Sequence, residues 1–259
     1  MGKQIGSPER AIYHDEDRVI RPLNPWSATI HRLLEHLHVH GVMNCPRFIS
    51  VDGEQEVLSY IEGETYNYPL SGAIASHHAL TSAASLLRQL HDASVSFLSS
   101  NSDHQHQWML PAQAPQEVIC HGDFAPYNVA LNGEVVSGVF DFDTAHPGPR
   151  VWDMAYAVYC WAPFKTDPTD ALGTLSAQIE RARAFCDAYG ASAAQRQLLV
   201  EMMMKRLAAL VAFMQSEADA GNAQFKTNIA QGHHLSYLAD IDYLKQHRQV
   251  ITSGLLVGI

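Results

Sequence analysis

The stretch Val118–Asp143, "VICHGDFAPYNVALNGEVVSGVFDFD", restricts the fold more than any other part of the chain. Three apolar residues, Val118 to Cys120, run straight into His121, Gly122 and Asp123, and Asn128 follows after four more. "NVAL" and "EVVSGVFDF" then flank Asn132-Gly133, a favoured pair for a two-residue hairpin turn. A hairpin returns the chain to the level it left. Asn128 and Asp141, at its two open ends, are therefore expected to face one site.

The spacing has a chemical meaning. In H-x-D-x-x-x-x-N of a protein kinase loop, the aspartate accepts the proton of an attacking hydroxyl and the asparagine holds Mg²⁺. A second carboxylate must reach the metal from a neighbouring strand, and Asp141 stands at that place. Asp143 lies two residues further on, which on a strand gives it the same face. It reads equally well as a metal or substrate ligand and as a solvated residue at a cleft rim. Taken singly these signals are ordinary: H-G-D occurs in many turns, and Asp153 in "WDMAYA" suits a helix N-terminus. In the order strand, loop, hairpin, helix they favour a reaction centre over a solvated turn.

The block Val118–Ala157, "VICHGDFAPYNVALNGEVVSGVFDFDTAHPGPRVWDMAYA", resembles the core of the aminoglycoside phosphotransferase and choline kinase-like family. The resemblance implies an α+β, protein-kinase-like two-lobed fold, with a small strand-rich N-terminal lobe and a larger, mainly helical C-terminal lobe. It implies transfer of the γ-phosphoryl group of ATP or GTP to a hydroxyl of a small molecule, such as an aminoglycoside or another amino alcohol or sugar. By position, Asp123 is the catalytic aspartate and His121 braces its loop. Asn128 and Asp141 are the Mg²⁺ ligands, and Asp153 stabilises the loop from the next helix. ATP is the cosubstrate.

The flanking sequence fits two lobes, divided here as 1–61 and 62–259. "AIYHDEDRVIRP" reads as a hairpin, and Ile30, Leu33, Leu34 and Leu37 make the stripe of a helix that Gly41 stops. "RFISVD" and "EVLSYI" form a second hairpin. The connector that follows, with Ser59, Tyr60 and Ile61, is the expected seat of the adenine. After it, Ala83, Leu86, Leu87 and Leu90 mark a helix ending near "LHDAS". From Val151 the chain reads as helices, with Leu198, Met202, Leu207, Leu210 and Phe213 as a buried stripe.

Two features depart from the kinase pattern. The lysine of V-A-I-K is missing; "RVIR" occupies its place, and Arg21 is the candidate for steadying the phosphates, against a plain surface arginine before a proline. Glu35 is the sole glutamate of the following helix, but it lies off the leucine stripe, so an exposed role suits it as well. Too few residues precede the first hairpin for a complete front end. One strand and most of a phosphate-covering loop are expected to be missing, and "MGKQIGSPER" does not build G-x-G-x-x-G.

Composition narrows the remaining choices. The 259 residues carry 27 acids against 17 lysines plus arginines, a formal charge of −10, which speaks against nucleic-acid binding. The start of the chain has no secretory core and no run spans a bilayer, so no membrane partner is expected. The four cysteines match neither a zinc spacing nor a disulfide framework, and a cytoplasmic location follows. "HLHVH" lacks a third ligand and reads as solvated histidines rather than a zinc site. Two rivals to the kinase stand beside it: a catalytically impaired kinase-like binding protein, and a metal-dependent phosphohydrolase.

Overall fold

The computed structural model describes residues 2–5, 11–100 and 106–258. The chain divides into two compact units, Met1–Tyr66 with Ser85–Arg150, and Asn67–Ala84 with Val151–Ile259. The first crossing, after Tyr66, lies a few residues beyond the expected lobe boundary at 61. The units then interleave, and the loop "HGDFAPYN" belongs to the same unit as the N-terminal strands.

In the first unit, β1 (Lys3–Ile5), β2 (Ile12–Asp15), β3 (Arg18–Pro22), β4 (Phe48–Asp52) and β5 (Gln55–Ser59) form an antiparallel sheet in the order β1-β2-β3-β5-β4. The strand expected to be missing is present: β1 pairs with β2 through Lys3 opposite His14 and Ile5 opposite Ile12. A strand of three residues has too little pattern to register in the sequence, and only its pairing reveals it. The segment "GSPER", residues 6–10, lies outside the described residues.

Helix α1 (Ser27–Val39) buries Ile30, Leu33, Leu34 and Leu37, as its 3.6-residue period requires. Glu35 is exposed. Helix α2 (His77–Ser100) buries Ala83, Leu86, Leu87 and Leu90 and runs past the expected end near "LHDAS". Strand β6 (Glu64–Thr65) pairs with β8 (Val129–Asn132), which pairs in turn with β9 (Val135–Val139). Asn132 opposes Val135, so the two turn residues are Gly133 and Glu134, one step later than Asn132-Gly133. Strand β7 (Val118–Cys120) runs antiparallel to β10 (His146–Gly148), and this short ribbon carries the loops at both of its ends.

The second unit is helical: α3 (Arg150–Trp161) enters it, followed by α4 (Leu175–Tyr189), α5 (Ala193–Asp219), α6 (Ala223–Ala230) and α7 (His233–Leu255). Tyr159, Trp161, Phe164, Phe185, Leu207, Leu244 and Ile251 are fully buried there. The stripe of α5 sits one residue from the expected one. Leu199, Met203, Leu207, Val211 and Met214 are buried, while Leu198 is 53% exposed. Both registers are apolar in the sequence, and contact with α7 selects between them. Buried Asp240 of α7 accepts from the Tyr159 hydroxyl at 2.6 Å and from the N–H and hydroxyl of Thr166 at 2.6 and 2.8 Å. Among the described residues no helix is long and apolar enough to cross a membrane.

Candidate active site

The loop after β7 is held by its own backbone. His121, 3% exposed, accepts the N–H of Asp123 on Nδ1 at 3.3 Å. Its ring proton therefore sits on Nε2, which donates to the carbonyl of Phe140 at 3.1 Å. The imidazole thus ties the loop to the end of β9. Gly122 has φ +84°, and a Cβ there would lie 2.3 Å from the carbonyl oxygen of Thr144. The Thr144 hydroxyl closes the same contact by donating to the His121 carbonyl at 3.0 Å.

Asp123 emerges from this frame with both carboxylate oxygens oriented. The Tyr127 hydroxyl donates to Oδ1 at 2.7 Å, and Asn128 Nδ2 donates to Oδ2 at 2.8 Å and to the Asp123 carbonyl at 2.9 Å. With its amide nitrogen engaged, Asn128 has its amide oxygen as the donor suited to a metal. Its carbonyl accepts from Phe140 N at 2.9 Å, which fastens it beside Asp141, as the hairpin argument requires. Asp141 adopts a left-handed conformation, φ 63° and ψ 63°, uncommon for a non-glycine residue and typical of sites that aim a side chain.

A cavity of about 400 Å³ lies in this unit, lined by Arg21, Asp123, Asp141, Asp143 and Thr144 with Ile12, Trp26 and Met109 among its apolar walls. Four of the predicted residues meet on it. Arg21 is buried, and its guanidinium is gripped on two sides. Nε donates to Glu56 Oε1 at 2.6 Å, while Nη2 and Nη1 donate to the two oxygens of Asp143 at 2.8 and 3.1 Å. Asp141 lies further from it, at 3.6 Å. The second oxygen of Glu56 meets His31 Nε2. Burial pushes the Asp143 carboxyl up, Arg21 opposes this, and the like charge of Asp141 adds to it; the balance is upward. Burial pushes Glu56 up as well, but His31 and Arg21 outweigh it and the balance is downward.

Other predicted residues lie elsewhere. The N–H groups of Ser59 and Tyr60 donate to Arg47 and Asp17 carbonyls at 2.9 and 2.7 Å, Tyr60 stacks on His14 with ring centroids 3.8 Å apart, and neither residue nor Ile61 lines the cavity. Asp153 is fully buried in the first turn of α3, in the second unit. The acid that pairs with Arg21 is Glu56, not Glu35. Glu56 sits directly across from Arg21 in the β3–β5 register. The sequence held one hint, an acid inside an apolar strand, but pairing "EVLSYI" with "RVIR" required the sheet order. Tyr127 was also passed over, since a tyrosine in a loop carries no signal of its own. His36 and His40 stack at 4.0 Å as an i, i+4 pair, and no group of three or more His, Cys, Asp or Glu able to hold a metal occurs among the described residues.

The model of the phosphotransferase enzyme family matches residues 100–199. The trifolitoxin immunity protein of Rhizobium leguminosarum bv. trifolii is 30% identical over 195 residues, covering 72% of each chain. The chain belongs to the phosphotransferase enzyme family. A second relative in sequence, the homoserine kinase of Bradyrhizobium diazoefficiens, is 28% identical over 196 residues, 61% of this chain and 57% of that protein. In fold, this phosphotransferase-family chain is similar to a choline/ethanolamine kinase family protein from Mesorhizobium loti. The TM-score is 0.62 at 15% identity, over 100% of this chain and 93% of the other. The kinase-like α+β fold expected from the sequence is the one found.

The donor types suit a magnesium ion, although Asn128 is not among the residues that line the cavity. Asn128 and Asp141 offer hard oxygens. Mg²⁺ is commonly held by one or two carboxylates together with substrate phosphates, not by an all-protein cage.

Proposed function

We propose that the protein transfers the γ-phosphoryl group of ATP to a hydroxyl of a small molecule bearing an amine, an amino alcohol or amino sugar. The observation that carries this reading is Asp123 itself. Both its oxygens are oriented by neighbours on its own loop, and it shares one cavity wall with Asp141 and Arg21. An acceptor hydroxyl placed against Asp123 gives up its proton there as its oxygen bonds to the γ-phosphorus, and the bond from that phosphorus to the β,γ-bridging oxygen breaks to release ADP. Asn128 and Asp141 hold the divalent cation, whose contribution is to neutralise charge on the phosphates. Arg21 adds a fixed positive charge and two of its five N–H donors, the other three being bonded to Glu56 and Asp143. In this reading residues 1–61 cover the nucleotide, and the connector at Ser59, Tyr60 and Ile61 meets the adenine through carbonyls and side chains. Residues 62–259 supply the loop, the metal ligands and the acceptor pocket, with Asp153 supporting the loop. Four buried cysteines outside any disulfide suit a reducing cytoplasm.

The acceptor class follows from an acidic cavity and from the named activity of the homoserine kinase relative. The test is a panel of choline, ethanolamine, homoserine and an aminoglycoside with ATP and Mg²⁺, followed by ³¹P NMR. A phosphoester formed by the wild type and not by Asp123→Asn supports the reading; release of inorganic phosphate with no acceptor supports a phosphohydrolase instead. One observation favours the impaired binding protein. Three of the five N–H donors of Arg21 are already taken by Glu56 and Asp143, which leaves only two for a phosphate. Calorimetry with ATP and Mg²⁺ separates the two, because absence of binding at millimolar nucleotide removes the enzyme reading.

A further inference from the structure

We propose that Asp143 is a positioning residue for Arg21, acting with Glu56 as a two-acid clamp, and that the divalent cation is left to Asn128 and Asp141 alone. The inference rests on the phosphotransfer reading above and goes beyond it by dividing the acids of the cavity between two tasks. Strand alternation would give Asp141 and Asp143 one role, but β9 ends at Val139, and the backbone then turns left-handed at Asp141 and enters a short 3₁₀ turn over Phe142–Thr144. The two side chains are consequently held by different partners. Both oxygens of Asp143 take guanidinium N–H groups at 2.8 and 3.1 Å, in the parallel two-bond geometry that arginine forms with carboxylates. Asp141 stays outside hydrogen-bond distance of the same group, at 3.6 Å.

A metal on Asp143 would share its carboxylate with the guanidinium and sit beside that positive charge. Glu56 holds the guanidinium from its Nε side and is itself fixed by His31, whose ring stacks on Phe48 at 3.9 Å. The arginine is thereby pinned on two edges while its charge stays on the cavity wall. A lysine has one ammonium and no fork, so it cannot make the parallel two-bond contact with Asp143 while also holding Glu56 from a separate edge. This accounts for an arginine where kinases place a lysine.

The experiment is a Mn²⁺ titration followed by electron paramagnetic resonance, in the presence of a non-hydrolysable ATP analogue. It is paired with calorimetry of the analogue, and uses wild type, Asp141→Asn, Asp143→Asn and Arg21→Lys, with thermal melts to confirm folding. Asp141→Asn is expected to weaken Mn²⁺ binding by about tenfold or more, the scale of lost metal support, and Asp143→Asn by less than about twofold. Asp143→Asn and Arg21→Lys should each weaken the nucleotide about tenfold, and the double variant should be no worse than either single one. Equal loss of Mn²⁺ in Asp143→Asn and Asp141→Asn, or a second Mn²⁺ that Asp143→Asn deletes, overturns the clamp and leaves the kinase reading standing. Mn²⁺ binding untouched by Asp141→Asn overturns both. If Asp143→Asn fails to fold, Arg21→Lys carries the test: undiminished nucleotide affinity in that variant refutes the clamp.

Discussion

In the proposed transfer Asp123 and Asp141 act through position and charge, and neither is part of a packed core: Asp123 is half-buried and Asp141 sits in an outlying backbone conformation on the cavity wall. Asp123→Asn keeps the shape and removes the proton acceptor, so transfer is expected to fall by about 10²–10⁴-fold, the usual worth of a general base. Asp141→Ala should be comparably inactive. Thermal melts of both variants within a few degrees of wild type, with phosphoester formation lost, are the expected result; turnover near the wild-type level in either would remove it from the mechanism. Glu56 makes a separate prediction about stability. Its carboxyl is held below the ordinary value of 4.5 in the folded protein, so the unfolded chain binds the proton more tightly. Its contribution is therefore complete above that value and is lost as pH falls through the lower, folded-state value. Glu56→Gln should destabilise the protein at pH 7 and flatten the acid side of the stability curve, as read by urea melts between pH 3 and 7.

At the scale of elements, the turn between β7 and the loop is the least tolerant part of the site. Gly122→Ala meets both a left-handed φ and a backbone carbonyl that cannot move aside, because Thr144 is fastened to His121. The strain alone costs of order 1–3 kcal/mol. The loop should therefore be displaced, with activity lost and the melting temperature lowered together. A helix end in the second unit supplies the contrast. Ser192 caps α5 with a reciprocal bond to Gln195, the capping-box arrangement. Ser192→Ala should cost about 1 kcal/mol in chemical denaturation and leave transfer unchanged.

For the whole molecule, the four thiols offer a measure of integrity. Cys45, Cys120, Cys160 and Cys186 are all buried and unpaired with one another, and burial pushes the Cys45 and Cys186 thiols up to about 12. Thiolates are the reactive form, so a thiol reagent at pH 8 should label essentially none of them in the native protein and all four after unfolding. Fast labelling of a single cysteine without denaturant would show that one unit opens on its own. The acidic charge bears on this scale too. At −10 the net charge opposes non-specific attraction to another polyanion, and in the proposed transfer the cation that offsets the phosphates comes from solution.

The sequence by itself determined the pieces whose signal is local. The period of α1 and α2, the strand–loop–hairpin order around Asp123, the α+β class and the family were all legible, because a helix stripe or an H-x-D-x-x-x-x-N spacing is written in neighbouring residues. Tertiary structure decided what depends on partners distant in the chain. β1 exists only as the pairing partner of β2, and the register of α5 is chosen by α7. The acid facing Arg21 is set by which strand lies beside β3, and the different surroundings of Asp141 and Asp143 by a backbone that leaves the strand at Val139 and turns left-handed at Asp141. Each of these is a choice among options equal in local free energy, and contacts between segments far apart in sequence break the tie.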